Sequence, residues 1–348
     1  MGRSLATSIG PLHWAQPRQT QLPRAASRDL GFDSIRLLAS IAIVWGHSPR
    51  SDQIMWLQVL GVFGTSFFAA ASVYFLAQGL RRDTGRTLGR YALSRARRLY
   101  VPFLVWSIVY LIFRNLCRAL ITHKPPVQVT AMNLLAGGET HLWFLPFILI
   151  ACLAAFPLIK FALTRPHRAA PLAMAFAVAG LLLVVLPPPQ FAPESDTVNF
   201  WRCAYWALPS VLWGLAIALS DDLIFQLRNG APRTTLLAAG ITIVCLALLV
   251  TDGLSIYAKN IAGVACMLVA LSLPRGQWQH SIAPIATLGF GVYLVHPLVL
   301  GVLRAGSQLV RLAPAPWLDL THFALAVGGS LALARLIQQT RWLRWLVP

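Results

Sequence analysis

The chain has 348 residues, of which 57% are hydrophobic and only 11% charged, with a formal net charge of +18 and a mean hydropathy of +0.65. A soluble domain carries roughly 25% charged residues, so a water-soluble globular protein is excluded and one polytopic membrane domain is the simplest reading. The positive charge is mainly arginine, set in short segments between apolar runs. That is the pattern of cytoplasmic loops, and no nucleic-acid partner is expected.

Residues 1–28 hold scattered arginines, prolines, serines and threonines, with no apolar core long enough for a signal peptide; they are expected to form a disordered cytoplasmic tail. A membrane crossing takes roughly 20 apolar helical residues. Runs of that size fall at about 31–48, 54–80, 101–121, 141–162, 169–188, 203–220, 233–251, 256–273, 281–303 and 317–338. The expected fold is therefore all-α: a polytopic integral membrane protein of about ten transmembrane helices over residues 29–340, followed by a cytoplasmic tail at 341–348. With the amino terminus inside, nineteen lysines and arginines fall on the cytoplasmic loops and seven, among them Arg50, Arg202, Lys259 and Arg304, on the outer ones. The positive-inside rule then places both termini in the cytoplasm of a cell (inner or plasma) membrane protein. No inverted half-repeat of the transporter kind is visible. The five cysteines all lie in apolar runs and none forms a C-x-x-C pair, so neither a disulfide framework nor a metal site is indicated.

The stretch from Gly31 to Ser48 is the most informative. Arg36 and His47 are eleven residues apart, which is three helical turns and about 16 Å on nearly one face. Ser40 lies between them and Asp33 one turn before Arg36. Ionisable groups inside a span are costly and usually functional; the plainer alternative is that Arg36 snorkels to the inner interface while His47 caps the outer end. An imidazole suits general-base chemistry near neutral pH or can carry an acyl group. A cytoplasm-facing arginine suits phosphates such as those of coenzyme A.

Seven arginines lie between Arg81 and Arg98, and most read equally well as topological signals or lipid contacts. Arg95, Arg97 and Arg98 are set against the start of a span with Pro102 in its first turn, and can clamp a polyphosphate. At the opening of the fourth span stand Glu139, His141 and Trp143. An interfacial aromatic belt is one reading; the other has Glu139 or His141, or else Asp52, orienting His47. In the ninth span His296 precedes Pro297, with Tyr293 one turn earlier. A mid-span proline leaves a backbone carbonyl unpaired and is tolerated beside a cavity, although a buried, hydrogen-bonded structural histidine is the plainer reading.

In this order, the four stretches resemble the acyltransferase-3 family of membrane O-acyltransferases over roughly residues 28–340. The matching features are Arg36-x10-His47, Arg95-x-Arg97 before Tyr100-x-Pro102, the Leu-Trp-Phe-Leu run from Leu142, and the Tyr-Leu-Val-His run ending at His296. The resemblance implies that His47 is catalytic and that Arg36, Arg95 and Arg97 serve the acyl-CoA donor. It implies transfer of acetyl, or another short acyl group, from acetyl-CoA as co-substrate to sugar hydroxyls of exopolysaccharide, lipopolysaccharide or peptidoglycan. Stand-alone members of this kind serve exopolysaccharide or capsule assembly, which implies a glycan or lipid-linked oligosaccharide acceptor and polysaccharide-assembly partners. Larger relatives carry an extracytoplasmic hydrolase-like domain; here the membrane domain is expected to act alone or with a partner supplying that step.

The candidate site is therefore His47, Glu139 and His141 for catalysis, Arg36, Arg95, Arg97 and Arg98 for the donor, and Ser40, Trp143, Tyr293 and His296 for the acceptor cavity. Arg36 and His47 are expected to look into one shared polar passage. Pro49 and Arg50 just after His47 and Ser48 predict a short, strained loop, and no further carboxylate stands out within a span. Three rivals remain. His47 and Asp52 fit the H-x4-D pattern of glycerolipid acyltransferases, a weak match without its structural context. His296 could serve the other large class of membrane-bound O-acyltransferases, whose usual asparagine partner is not evident. A polysaccharide or lipid transporter without transferase activity is the non-enzyme alternative.

Overall fold

The computed structural model describes residues 30–191, 199–228, 232–251, 255–273 and 284–347; the expected tail at 1–28 lies outside them. All described elements are helical. They are α1 (Leu30–His47), a 3-10 turn (Met55–Gly61) leading into α2 (Phe63–Arg82), α3 (Leu88–Arg95), a π turn (Ala96–Tyr100) and α4 (Val101–Cys117). The short α5 (Asn133–Ala136) precedes α6 (Phe144–Thr164), α7 (Ala169–Val185), α8 (Phe200–Leu219) and α9 (Asp221–Arg228). The chain continues through α10 (Pro232–Thr251), α11 (Ser255–Ser272), α12 (Gly289–Leu309) and α13 (Pro316–Gln339).

Among the described residues, 7 helical stretches are long and apolar enough to cross a membrane: Met55–Arg82, Leu88–Thr122, Phe144–Thr164, Pro166–Val185, Phe200–Leu219, Gly289–Leu309 and Pro316–Gln339. The chain is a multi-pass membrane protein. α10 and α11 add the shorter apolar stretches Thr235–Leu248 and Ala258–Ser272, and α1, at 18 residues, carries Asp33 and Arg36. The third expected run, at 101–121, is the latter part of a longer helical stretch that already contains the arginine cluster. Arginine is a good helix former, and Thr87 caps the start by accepting from Arg90 N. At the π turn Val101 N donates to Ala96 O, a wider register that accommodates the missing N–H of Pro102.

Helix contacts are close because small residues meet backbone. A Cβ on Gly61 would lie 2.6 Å from Gly46 Cα, and one on Gly64 2.6 Å from Ala39 O, so α1 packs on α2 and its leading turn at near-backbone distance. α2 approaches α8 the same way at Gly214 and α11 at Gly263. Small residues at such crossings are the membrane mode of helix association. A polar hub reinforces them. Asn260 Oδ1 accepts from Ser66 Oγ at 3.0 Å and from Ser210 Oγ at 2.6 Å, while its amide donates to Trp206 O at 3.0 Å. α2, α8 and α11 are thereby tied at one point. At the other end of the chain Val347 is buried, and Trp106 Nε1 donates to Leu346 O at 3.1 Å, so the last residues fold back on α4.

Gly61→Ala is expected to lower the thermal unfolding midpoint of the detergent-purified protein, by a free energy of about 1–3 kcal/mol for overpacking. Gly79→Ala is its control, because a Cβ there meets nothing within 4 Å.

Candidate active site

α1 carries the two groups on which the sequence reading centred. Arg36 pairs with Asp33 at 3.0 Å, an i,i+3 contact on the same helix, and Ser40 Oγ donates to Arg36 O at 3.0 Å. Arg36 faces a cavity of about 460 Å³ whose wall also holds Arg95, Arg98, Phe144, Phe290 and Tyr293. Arg95 lies 5.4 Å from the centre of the Tyr91 ring, a cation–π contact that steadies it at the cavity edge. Arg97 is exposed on the same π turn and outside the lining. Three of the four expected donor arginines therefore converge.

His47 faces a second, smaller cavity of about 180 Å³, together with Trp143, Cys203, Trp206 and Lys259. The expectation of one shared passage is corrected: Arg36 and His47 line two cavities. The physical reason is a plug of aromatic and imidazole rings. His47 and His296 lie 5.3 Å apart between ring centres, His296 and His141 5.3 Å, and His141 and Tyr293 5.3 Å. Tyr293 borders the larger cavity and His47 the smaller. Tyr110, which the sequence reading missed, stands edge-on to His141 at 5.3 Å.

The plug is set by α12. Pro297 has no N–H, so the carbonyl four residues earlier, that of Tyr293, loses its helical partner. His296 Nδ1 lies 2.9 Å from Tyr293 O and 3.1 Å from Val292 O. Carbonyl oxygens only accept, so Nδ1 carries the proton and, in the neutral ring, Nε2 is left as the acceptor. That nitrogen is buried and has no hydrogen-bond partner among the described residues. An orphaned buried nitrogen in a native fold calls for a role. His296 is thus a structural cap through one nitrogen and a presented base through the other, which joins the two readings its sequence left open. Tyr293 and Tyr110 lock the surroundings: Tyr293 OH donates to His141 O at 2.5 Å, and Tyr110 OH to Leu294 O at 2.6 Å.

The His47 end of α1 is held by two further residues that sequence reasoning passed over. Arg304, on α12 eight residues after His296, donates to His47 O and, at 3.1 Å, to Ser48 O. Asp319, in the first turn of α13, accepts from Arg50 N at 3.0 Å, Ser51 N at 2.8 Å and Ser51 Oγ at 2.7 Å. The loop at Pro49 and Arg50 is therefore clamped, and it shows no left-handed residue; His123 and Arg311 are the non-glycine positions with positive φ among those described. Arg304 is counted among the outer-loop charges in the sequence, and buried Asp319 corrects the expectation that no further carboxylate stands out within a span, since it lies in the expected run at 317–338. The signal for Arg304 was its two-turn spacing from His296 on one helix.

The remaining expected site residues are placed as follows. Glu139 is half-buried, accepts from Thr140 N at 2.9 Å and lies within electrostatic reach of Arg304. Ser40 is buried against α12, where a Cβ on Gly289 would meet its Oγ at 3.1 Å, and lines neither cavity. Asp52, the second half of the H-x4-D pattern, is exposed.

A model of the acyltransferase domain matches residues 29–338, nearly the whole chain. The chain belongs to the acyltransferase-3 family. A comparison with curated proteins gives no match. This acyltransferase accordingly has an enzyme's task to assign to its cavities, and the non-enzyme alternative gives way to transfer chemistry.

His296→Ala is expected to cost about 1–3 kcal/mol, the penalty of an unpaired buried carbonyl at Tyr293. Adding Pro297→Ala restores an N–H to that carbonyl and should recover part of the loss in thermal unfolding of the detergent-purified protein. Additive losses in the double variant would remove the capping argument.

Proposed function

We propose that this acyltransferase is an O-acetyltransferase that passes acetyl from cytoplasmic acetyl-CoA to a sugar hydroxyl of an exopolysaccharide or other cell-surface glycan, its lipid-linked repeat unit included. The observation that carries the reading is the pair of unlike cavities meeting at one imidazole cluster. The larger, ringed by Arg36, Arg95 and Arg98, suits phosphates at its rim and an apolar arm along Phe144 and Phe290. Arg97, exposed beside them, is left for the outermost phosphate. Bidentate guanidinium contacts favour phosphate strongly. The smaller cavity, with two tryptophans beside His47, suits a sugar ring.

The net reaction joins the acceptor oxygen to the acetyl carbonyl carbon and breaks the thioester C–S bond; because the ring plug stands between the two cavities, it requires those rings to part so that thioester and hydroxyl meet. The hydroxyl proton passes to an imidazole and coenzyme A leaves as the thiol. His47, at the acceptor cavity, is the group assigned to that proton. His141 and His296 extend the line of imidazoles to Tyr293 at the donor cavity, and Glu139 balances the charge of Arg304 behind His47. The arginine distribution supports an inner-membrane orientation with the Arg36 end toward the cytoplasm, both termini on that side and about ten crossings.

His47→Ala is expected to remove acetyl from the surface glycan while the glycan is still exported, read by mass spectrometry of a deletion strain complemented with either form. Lost export with normal acetyl content would favour a transporter instead. Arg36→Ala and Arg95→Ala are each expected to raise KM for acetyl-CoA about tenfold or more, from loss of a charge-assisted contact, with a smaller change for the acceptor. Lysine should restore little at either position, in steady-state kinetics of the purified protein.

A further inference from the structure

The small cavity beside His47 holds donors without acceptors. Lys259, near the start of α11, lines it with Trp206 of α8. The Lys259 ammonium sits 5.1 Å from the centre of the Trp206 ring, and Arg202 covers the same ring at 4.7 Å. Beyond that ring contact, Lys259 makes no hydrogen bond or ion pair among the described residues. Trp206 Nε1 is buried and also lacks a hydrogen-bond partner there. No carboxylate is among the described residues lining the cavity. A partly buried ammonium without an acceptor is costly, and an incoming oxygen anion relieves it.

The position of these donors is built rather than incidental. Asn260, the neighbour of Lys259, donates to Trp206 O at 3.0 Å and accepts from Ser66 and Ser210. This fixes the backbones of Lys259 and Trp206 relative to α2. A further cation at this end, Arg304, is already spent on the carbonyls of His47 and Ser48. Trp143 supplies a second aromatic wall, which is the flat apolar surface that the C–H face of a sugar needs.

We propose that this cavity selects an acceptor sugar bearing an anionic oxygen group, with the anion on Lys259 and the ring against the tryptophans, which presents a neighbouring hydroxyl to His47. The anion can be the carboxylate of a uronic acid or the phosphate of a phosphorylated sugar. The inference rests on the small cavity being the acceptor side, and it narrows the acceptor class of the proposed transferase.

The test uses the full-length protein in nanodiscs and three saccharides of equal length: one neutral, one with a glucuronate residue and one with a sugar phosphate. Binding is measured by calorimetry without acetyl-CoA, and acetylation separately with it. The wild type should bind at least one anionic saccharide about tenfold more tightly than the neutral one, as a charge-assisted contact implies. Lys259→Gln should bring that ratio close to one, and Lys259→Arg should retain most of it. Whichever anionic saccharide binds better identifies carboxylate or phosphate as the natural group. Charge-independent binding in the wild type, or an unchanged ratio in Lys259→Gln, overturns the inference even if acetylation proceeds. Lys259-dependent anion preference without acetylation of any saccharide leaves the inference standing and overturns the transferase reading of this cavity.

Discussion

A backbone carbonyl with no N–H to receive is the constraint around which this active site is arranged. In a membrane interior no water can satisfy it, and Pro297 creates one at Tyr293. The adjacent His296 fills the gap with its own Nδ1, which fixes both the tautomer and the direction of the ring. Its second nitrogen is then held in the protein interior, on a ring whose centre lies 5.3 Å from those of His47 and His141. A local backbone repair therefore also sets up the centre of an imidazole cluster, and one dipeptide on α12 supplies both.

From that centre the molecule divides into two ends with different anchoring. At the Arg36 end, charge is presented: three arginines border a large cavity, with Asp33 and the Tyr91 ring holding two of them in place. At the His47 end, charge is mostly consumed in clamping backbone, Arg304 on the end of α1 and Asp319 on the loop that follows. Each clamp joins elements more than 250 residues apart in sequence. A buried ion that bonds backbone carbonyls or amides offsets its own desolvation and pins geometry at once. Lys259 breaks this pattern, because its charge is left over beside the cavity.

The plug between the cavities gives this separation a chemical use. An acyl donor and an acceptor that met in one wet passage would also meet water, a competing nucleophile. Here the larger cavity ends at Tyr293 and the smaller at His47, with imidazoles between. Exclusion of water strengthens each electrostatic contact inside such a site.

Much of this was legible in the amino-acid order. Apolar runs of helical length, alternating loop charge and the three-turn spacing of Arg36 and His47 are local properties, and local periodicity survives into the folded chain. Membership of the acyltransferase-3 family followed from those motifs and holds over residues 29–338. The place of the arginine cluster at a span entrance was equally readable, because Pro102 and the run of helix formers before it act within a turn or two. What no reading of one strand of sequence could decide is which distant groups meet. That His296 meets His47 with His141 and Tyr110 behind it, that Asp319 reaches Arg50 and Ser51, and that Lys259 shares a cavity with Trp143 all depend on helix crossings. Such crossings rest on close approaches, at Gly289 and Gly291 for α12 against α1 and α13 and at Gly214 and Gly263 for α8 and α11 against α2, where the fit of two surfaces, and not the pattern of either one, determines the outcome.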